Sequence, residues 1–112
     1  MSLSLEVTES LSAKGATHPR VSLAQIEQSI AAENYLNLGE ALAALGQPVH
    51  LSHSLMTLCF LTMINGFVIV GKSAPASPEN FNAEKGRTFA KEDAVRQAWP
   101  LMGYSLRDRL CC

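Results

Sequence analysis

Five cations in the second half of the chain, Lys72, Arg87, Arg96, Arg107 and Arg109, are the side chains best suited to recognition chemistry. A guanidinium presents a planar fork of donors that matches phosphate oxygens, so arginines gathered from several elements make an anion site. Charge is unevenly split: residues 1–56 hold two basic and five acidic side chains, net −3, and residues 57–112 hold seven and five, net +2. The run Ser77-Pro78-Glu79-Asn80 reads as a helix start whose free backbone N–H groups suit a phosphate. Taken singly, each arginine fits an ordinary solvated position on an amphipathic helix as well.

Other chemistry is poorly supplied. His50, His53 and Cys59 have a spacing compatible with metal ligation, but a transition-metal site wants three or four convergent ligands and no Asp or Glu lies nearby. They read instead as two exposed loop histidines before a strand whose cysteine points into the core. Nucleophile elbow, phosphate loop and paired-carboxylate patterns are missing, so no enzyme, no metal and no cofactor is expected.

The frame that must position these residues is small. A chain of 112 residues with 47% hydrophobic and 17% charged side chains has room for one packed domain. Its net charge of −1 exerts no general pull on nucleic acid or anionic lipid, and no aromatic-interleaved basic stripe marks an extended nucleic-acid partner. Three cysteines, two of them adjacent at Cys111 and Cys112, give no disulfide framework, and Cys59 reads as a reduced core residue, so the expected compartment is cytosolic. The first twenty residues lack a basic start followed by an apolar block, and no secretory leader is expected. Leu55 to Val70 runs sixteen residues without a charge, but Asn65-Gly66 interrupts it and a membrane helix needs about 20 apolar residues.

Residues 1–20 read as a mobile amino-terminal arm and residues 21–112 as one α+β domain. A core of about 90 residues buries only roughly 60–65% of its unfolded surface, which favours oligomerisation. Ser22 with Gln25 forms a capping box, Val21 with Ile26 a hydrophobic staple, and Leu23, Ile26 and Ile30 continue a helical stripe to Asn34-Tyr35. Glu40 to Leu45 predicts a short helical turn closed by Gly46. Leu55–Ile64 and Phe67–Ser73 flank Asn65-Gly66 as an antiparallel hairpin. A type I′ turn there pairs Cys59 with Lys72, Leu61 with Val70 and Phe60 with Gly71. Both faces of this hairpin are apolar, so it must be covered on both sides, by its own helices and by another chain. A long helix capped by Ser77-Pro78 runs to about Trp99. Phe81, Thr88, Glu92, Val95 and Trp99 lie on its large face, and Ala83, Gly86, Ala90 and Ala94 on a small one that permits close approach to the sheet or to a symmetry mate. Pro100 predicts a kink or restart, and Met102, Leu106 and Leu110 a closing second carboxy-terminal helix.

The residues Asn65-Gly66-Phe67, Gly71-Lys72-Ser73-Ala74, Ser77-Pro78-Glu79-Asn80-Phe81, Glu84, Gly86-Arg87 and Trp99-Pro100-Leu101-Met102-Gly103-Tyr104-Ser105-Leu106-Arg107 form a combined pattern. It resembles a family of small bacteriophage proteins known by phage gene number, gene forty-nine-like and gene sixty-six-like, over Arg20 to Leu110. In layout, a helix, a hairpin and carboxy-terminal helices, the chain is also similar to the first type of Thoeris anti-defence protein. Those are oligomeric phage sponges that sequester cyclic ADP-ribose isomers and, in some cases, cyclic trinucleotides. The resemblance implies a homo-oligomer in the host cytoplasm that holds a cyclic nucleotide between subunits without turning it over. It implies as ligand-binding residues Asn80 for a base or ribose edge, Phe81 for base stacking, and Arg87 with Arg107 or Arg109 for phosphate. A core position suits Phe81 equally. The longer amino-terminal arm and Ala76 depart from the family's short forms. Two other classes of function fit the residues: a phage inhibitor that blocks a host defence complex with its surface, such as an anti-CRISPR protein, and a minor replication or virion component.

Overall fold

The structure is a computed structural model describing residues 4–15 and 18–111. Its elements are α1 (Leu5–Ala13), α2 (Leu23–Gln28), β1 (Ile30–Asn37), α3 (Leu38–Ala44), β2 (Thr57–Met63), β3 (Val68–Ser73) and α4 (Ala83–Cys111), with short 3₁₀ turns at Leu51–Leu55 and Pro78–Asn80. The fold is α+β. The strands form one antiparallel sheet in the order β1-β2-β3, with α4 laid across one face.

The amino-terminal signals act as the sequence predicts, then the chain departs from it. Ser22 Oγ accepts from the Gln25 N–H while Gln25 Oε1 accepts from the Ser22 N–H, and Ile26 is fully buried with Val21 packed beside it. The helix nevertheless ends at Gln28 instead of running to Tyr35. Ile30–Asn37 is a strand, opened by Ile64 N–H donating to the Ser29 carbonyl. Helical spacing in Leu23, Ile26 and Ile30 is overridden because β2, apolar except at Thr57 and Thr62, needs a strand on each edge. Part of the expected arm is helical too. Leu5 is buried, and the Glu9 carboxylate accepts from Arg20 and from the Leu23 N–H, fastening α1 to the start of α2. Met1–Leu3, Ala16, Thr17 and Cys112 lie outside the described residues.

The hairpin forms around Asn65-Gly66, one residue out of the predicted register. Cys59 pairs with Gly71, Leu61 with Ile69 and Phe60 with Val70. Only Gly66 has positive φ, at +88°, while Met63 N–H donates to the Phe67 carbonyl and Gly66 N–H to that of Met63. Three residues, Ile64-Asn65-Gly66, therefore link the strands as a tight turn followed by a glycine bulge. Asn65 Oδ1 accepts from the Phe67 N–H instead of leaving Asn65 to enter the left-handed region. The slip exchanges the faces of β3: Ile69 and Gly71 turn inward beside Cys59, Leu61 and Met63, whereas Val68 and Val70 stay 49% and 44% exposed on the outer face with Leu58 and Phe60.

The long helix starts later than expected. Ser77 makes no capping bond to the backbone and Pro78–Asn80 is a 3₁₀ turn, so the chain re-enters an extended conformation at Phe81 and the cap of α4 is Asn82, whose Oδ1 accepts from the Lys85 N–H. From there α4 runs 29 residues without a break, about 43 Å at 1.5 Å per residue. The predicted pair of carboxy-terminal helices is one helix, because Pro100 sits on its solvent side, where water can replace the backbone bond that a proline cannot make. The small face packs inward as Ala90, Ala94 and Ala98, joined by Val95. A methyl group added at Gly71 would stand 2.0 Å from the Ala90 carbonyl oxygen, and one at Gly86 would stand 2.5 Å from Thr57 Oγ1. Trp99 Nε1 donates to the Val21 carbonyl at 2.8 Å, locking α4 to the entry of α2. Along the outer edge of β3, Asp93 Oδ2 accepts from the Lys72 N–H at 3.0 Å and Gln97 Nε2 donates to the Val70 carbonyl at 2.8 Å.

The predicted helical turn before Gly46 is α3, whose cap Asn37 accepts from the Glu40 N–H. His50 and His53 cap their own 3₁₀ turn: His50 Nδ1 accepts from the Ser52 N–H and His53 Nδ1 from the His50 N–H. Among the described residues no helix is long and apolar enough to cross a membrane.

Candidate functional site

The chain after Asn80 extends at Phe81, turns at the Asn82 cap and enters α4, which swings Arg87 back over the end of β1. There the two side chains share a pocket of about 550 Å³ with Tyr35 and Asn37 of β1, Ser54, and Thr57 of β2. Gly86 sets its depth, because the helix reaches Thr57 only where no Cβ intervenes.

Electrostatics separate Lys91 from Arg87. Lys91 Nζ is committed to Glu33 at 2.8 Å and Glu27 at 3.2 Å. Burial disfavours the Lys91 charge, but its bonds to Glu33 and Glu27 outweigh this and hold its pKa above the ordinary lysine value. The same bond from Lys91, helped by the Tyr35 hydroxyl donating to Glu33 at 3.0 Å, keeps the Glu33 carboxyl below its usual range against a burial effect of opposite sign. Burial and that bond to Glu33 push the Tyr35 phenol up, so it stays a neutral donor. Arg87 is different. It forms no ion pair among the described residues, although it lines both this pocket and the adjoining one that holds Glu33 and Lys91. A planar, permanent cation facing a concave site between aromatic rings is equipped to take a phosphate or carboxylate.

The predicted ligand residues do not all converge. Phe81 and Arg87 meet in the pocket, and Asn80 borders a neighbouring hollow that shares Phe81. Arg107 and Arg109 do not join them. Both ride the last turns of the same helix, twenty or more residues beyond Arg87 and so about 30 Å away. Arg109 hydrogen-bonds Ser105 at 3.0 Å and, with Arg20, borders a separate hollow. Unbroken helix past Pro100 is the reason: a restart would have allowed the chain to fold back. The Ser77–Asn80 run offers no helix terminus to an anion either, since it is a 3₁₀ turn in which Ser77 Oγ donates to the Glu79 carboxylate.

Tyr35, Asn37, Ser54 and Thr57 escaped the sequence reading. Tyr35 stands at the end of the stretch read as helix and Asn37 just beyond it, and only the long-range pairing of β1 with β2 places them beside Arg87. Among the described residues no group of three His, Cys, Asp or Glu side chains is placed to hold a metal ion.

No curated protein and no solved structure matches the chain. A family model does match, over residues 21–110, the span that holds β1, the hairpin, the Arg87 pocket and nearly all of α4. On that match the chain belongs to the phage protein (N4 Gp49/phage Sf6 gene 66) family.

Proposed function

We propose that this phage protein binds and withholds a small cyclic nucleotide signal, a cyclic ADP-ribose isomer or a cyclic oligonucleotide, without cleaving it, as an assembly of copies in the host cytoplasm. One observation carries the reading: Arg87, unpaired among the described residues, lies with Phe81 and Tyr35 around a pocket of about 550 Å³, within the range of small-molecule sites. The guanidinium suits a phosphate, the rings a base, and Asn37, Ser54 and Thr57 the polar edges of ribose or base. Withholding a ligand needs no more than these binding groups.

A thermal-shift panel of cyclic nucleotides at micromolar concentration tests this. A ligand at a hundred times its Kd stabilises by about 2.7 kcal/mol, a rise of roughly 10 °C for a chain of this size. The shift should vanish in Arg87→Ala, persist in Arg109→Ala, and release unaltered ligand mass on heating. A flat response across the panel refutes the reading.

A second reading rests on the hairpin tip, where Ile64 (72% exposed), Phe67 and Leu101 border one apolar groove of about 400 Å³ beside α4. Exposed apolar patches mark protein contacts, so this face supports an inhibitor that covers part of a host defence complex. Co-purification of a host protein that is lost in Phe67→Asp and kept in Arg87→Ala would select it.

A further inference from the structure

The two edges of the sheet are treated differently. On β3 two outward main-chain groups are met by α4, the Lys72 N–H by Asp93 and the Val70 carbonyl by Gln97. On β1, among the described residues, nothing equivalent exists. Leu38 N–H donates to the Met56 carbonyl within the register that pairs Leu36 with Leu58 and Asn34 with Phe60, so even-numbered residues bond to β2. The main-chain groups of Glu33 and Tyr35 therefore point away from the sheet, and among the described residues no donor or acceptor meets them. An eight-residue strand with an open edge is a template for another strand.

We infer that the occupant of this edge is β1 of a second copy, paired antiparallel about a two-fold axis through Asn34. Surface area supports a missing partner. The chain exposes 7644 Å², whereas a compact protein of 12.1 kDa exposes about 6,000 Å². Its radius of gyration is 16.5 Å against about 13 Å for a compact chain of 112 residues. The excess, about 1,600 Å², exceeds the roughly 800 Å² that each partner buries in a standard interface.

The residues of β1 choose the register. Centring on Asn34 sets Ala32 across from Leu36 of the second copy on the outer face, Asn34 across from Asn34, and Glu33 across from Tyr35 on the inner face. Apolar then meets apolar and amide meets amide. Centring on Glu33 would oppose two carboxylates, and centring on Tyr35 would set Asn34 against Leu36. The chosen register joins two sheets into one of six strands, and the second copy's strand runs along the rim of the Arg87 pocket, which Tyr35 and Asn37 line. This pairing specifies the assembly in the proposed function but does not depend on the ligand.

Asn34 is its own partner in a non-hydrogen-bonded pair, where Cα atoms lie about 4.5 Å apart, inside the range a disulfide spans. In a background with Cys111 and Cys112 changed to Ser, Asn34→Cys should oxidise at micromolar concentration to a covalent dimer, while Leu36→Cys, which has no self-partner, should not. Glu33→Pro removes an outward N–H without touching the ladder to β2, and should weaken the dimer at least a hundredfold, whereas Glu33→Gln, which controls for the Lys91 ion pair, should stay dimeric. Should Glu33→Pro fail to fold, the cysteine pair still decides. A 12 kDa particle in light scattering of the unmodified chain, or cross-linking equal at positions 34 and 36, overturns the pairing. A cross-linked dimer that gives no nucleotide shift would sink the ligand reading and leave the pairing standing. A shifting monomer would do the reverse.

Discussion

Replacing Gly71 by alanine tests the seat of α4 on the sheet directly. An added methyl would meet the Ala90 carbonyl oxygen at 2.0 Å, the Ala94 nitrogen at 2.6 Å and the Ala94 Cβ at 2.8 Å. Two of these three are backbone atoms of one helix, so no side-chain rotation relieves the contact. Ordinary contact begins near 3.4 Å, and α4 must therefore lift by about 1.4 Å. That lift loosens the burial of Ala90, Ala94, Val95 and Ala98 together and stretches the Asp93 and Gln97 bonds to β3. Overpacking costs about 1–3 kcal/mol, with rigid surroundings at the upper end, and the strained edge bonds add about 1 kcal/mol, so the expected loss is about 3–4 kcal/mol. At roughly 4 °C per kcal/mol, Tm should fall by about 12–16 °C in a thermal melt followed by circular dichroism. Gly103→Ala is the control: it lies in the same helix with nothing within 4 Å, and alanine should raise Tm by a few degrees through helix propensity. A loss below about 4 °C in Gly71→Ala would refute the close seat of α4 against β3.

Three further outcomes follow from the same contacts. Gly66→Ala should cost about 1–2 kcal/mol in urea denaturation because its φ is +88° with open space around it, and Gly66→Asn should cost visibly less; equal losses would discount the left-handed turn. Pro100→Ala should raise Tm by restoring one helical hydrogen bond on the solvent side, and a fall would show that the proline is needed for the path of α4. Glu33 has its folded pKa lowered from 4.5, so its bond to Lys91 contributes stability above pH 4.5 and loses it as pH falls through the folded value. The Tm difference between the unmodified chain and Lys91→Met should therefore be present at pH 7 and shrink at pH 3. A difference unchanged between the two would remove the ion pair as its source. Solvent screening holds the effect below about 1 kcal/mol.

Legibility in the sequence followed the range of the interaction. Signals settled between near neighbours in the chain formed as read: the Ser22 capping box, the Val21–Ile26 staple and the helical turn closed by Gly46. The hairpin was legible in its place but not in its register, because Asn65-Gly66 serves a two-residue or a three-residue loop and the choice exchanges the faces of β3. The small face of α4 was recognisable from Gly86, Ala90 and Ala94, while the counterpart glycine on β3 became meaningful only once that register was known. Strand β1 was hidden, since Ala31, Ala32 and Glu33 favour helix locally and only the exposed flank of β2 turns them into a strand. With β1 went half of the candidate site. Phe81 and Arg87 could be named from residue type, and Tyr35 and Asn37 could not. Arg107 and Arg109 lie far from Arg87 because the helix continues through Pro100, which residue type does not reveal, and continuity fixes distance.

The two side chains that α4 lays on β3 also bear on how far association can go. Strands carrying two adhesive margins add without limit and grow into ribbons, the geometry of fibres. Here Asp93 and Gln97 block the middle of one margin from within the chain, on the Lys72 N–H and the Val70 carbonyl. A molecule with a single vacant margin closes after one addition, so a hairpin this apolar stays a finite particle, and polar substitutions at 93 and 97 that leave the fold intact should turn it toward precipitation.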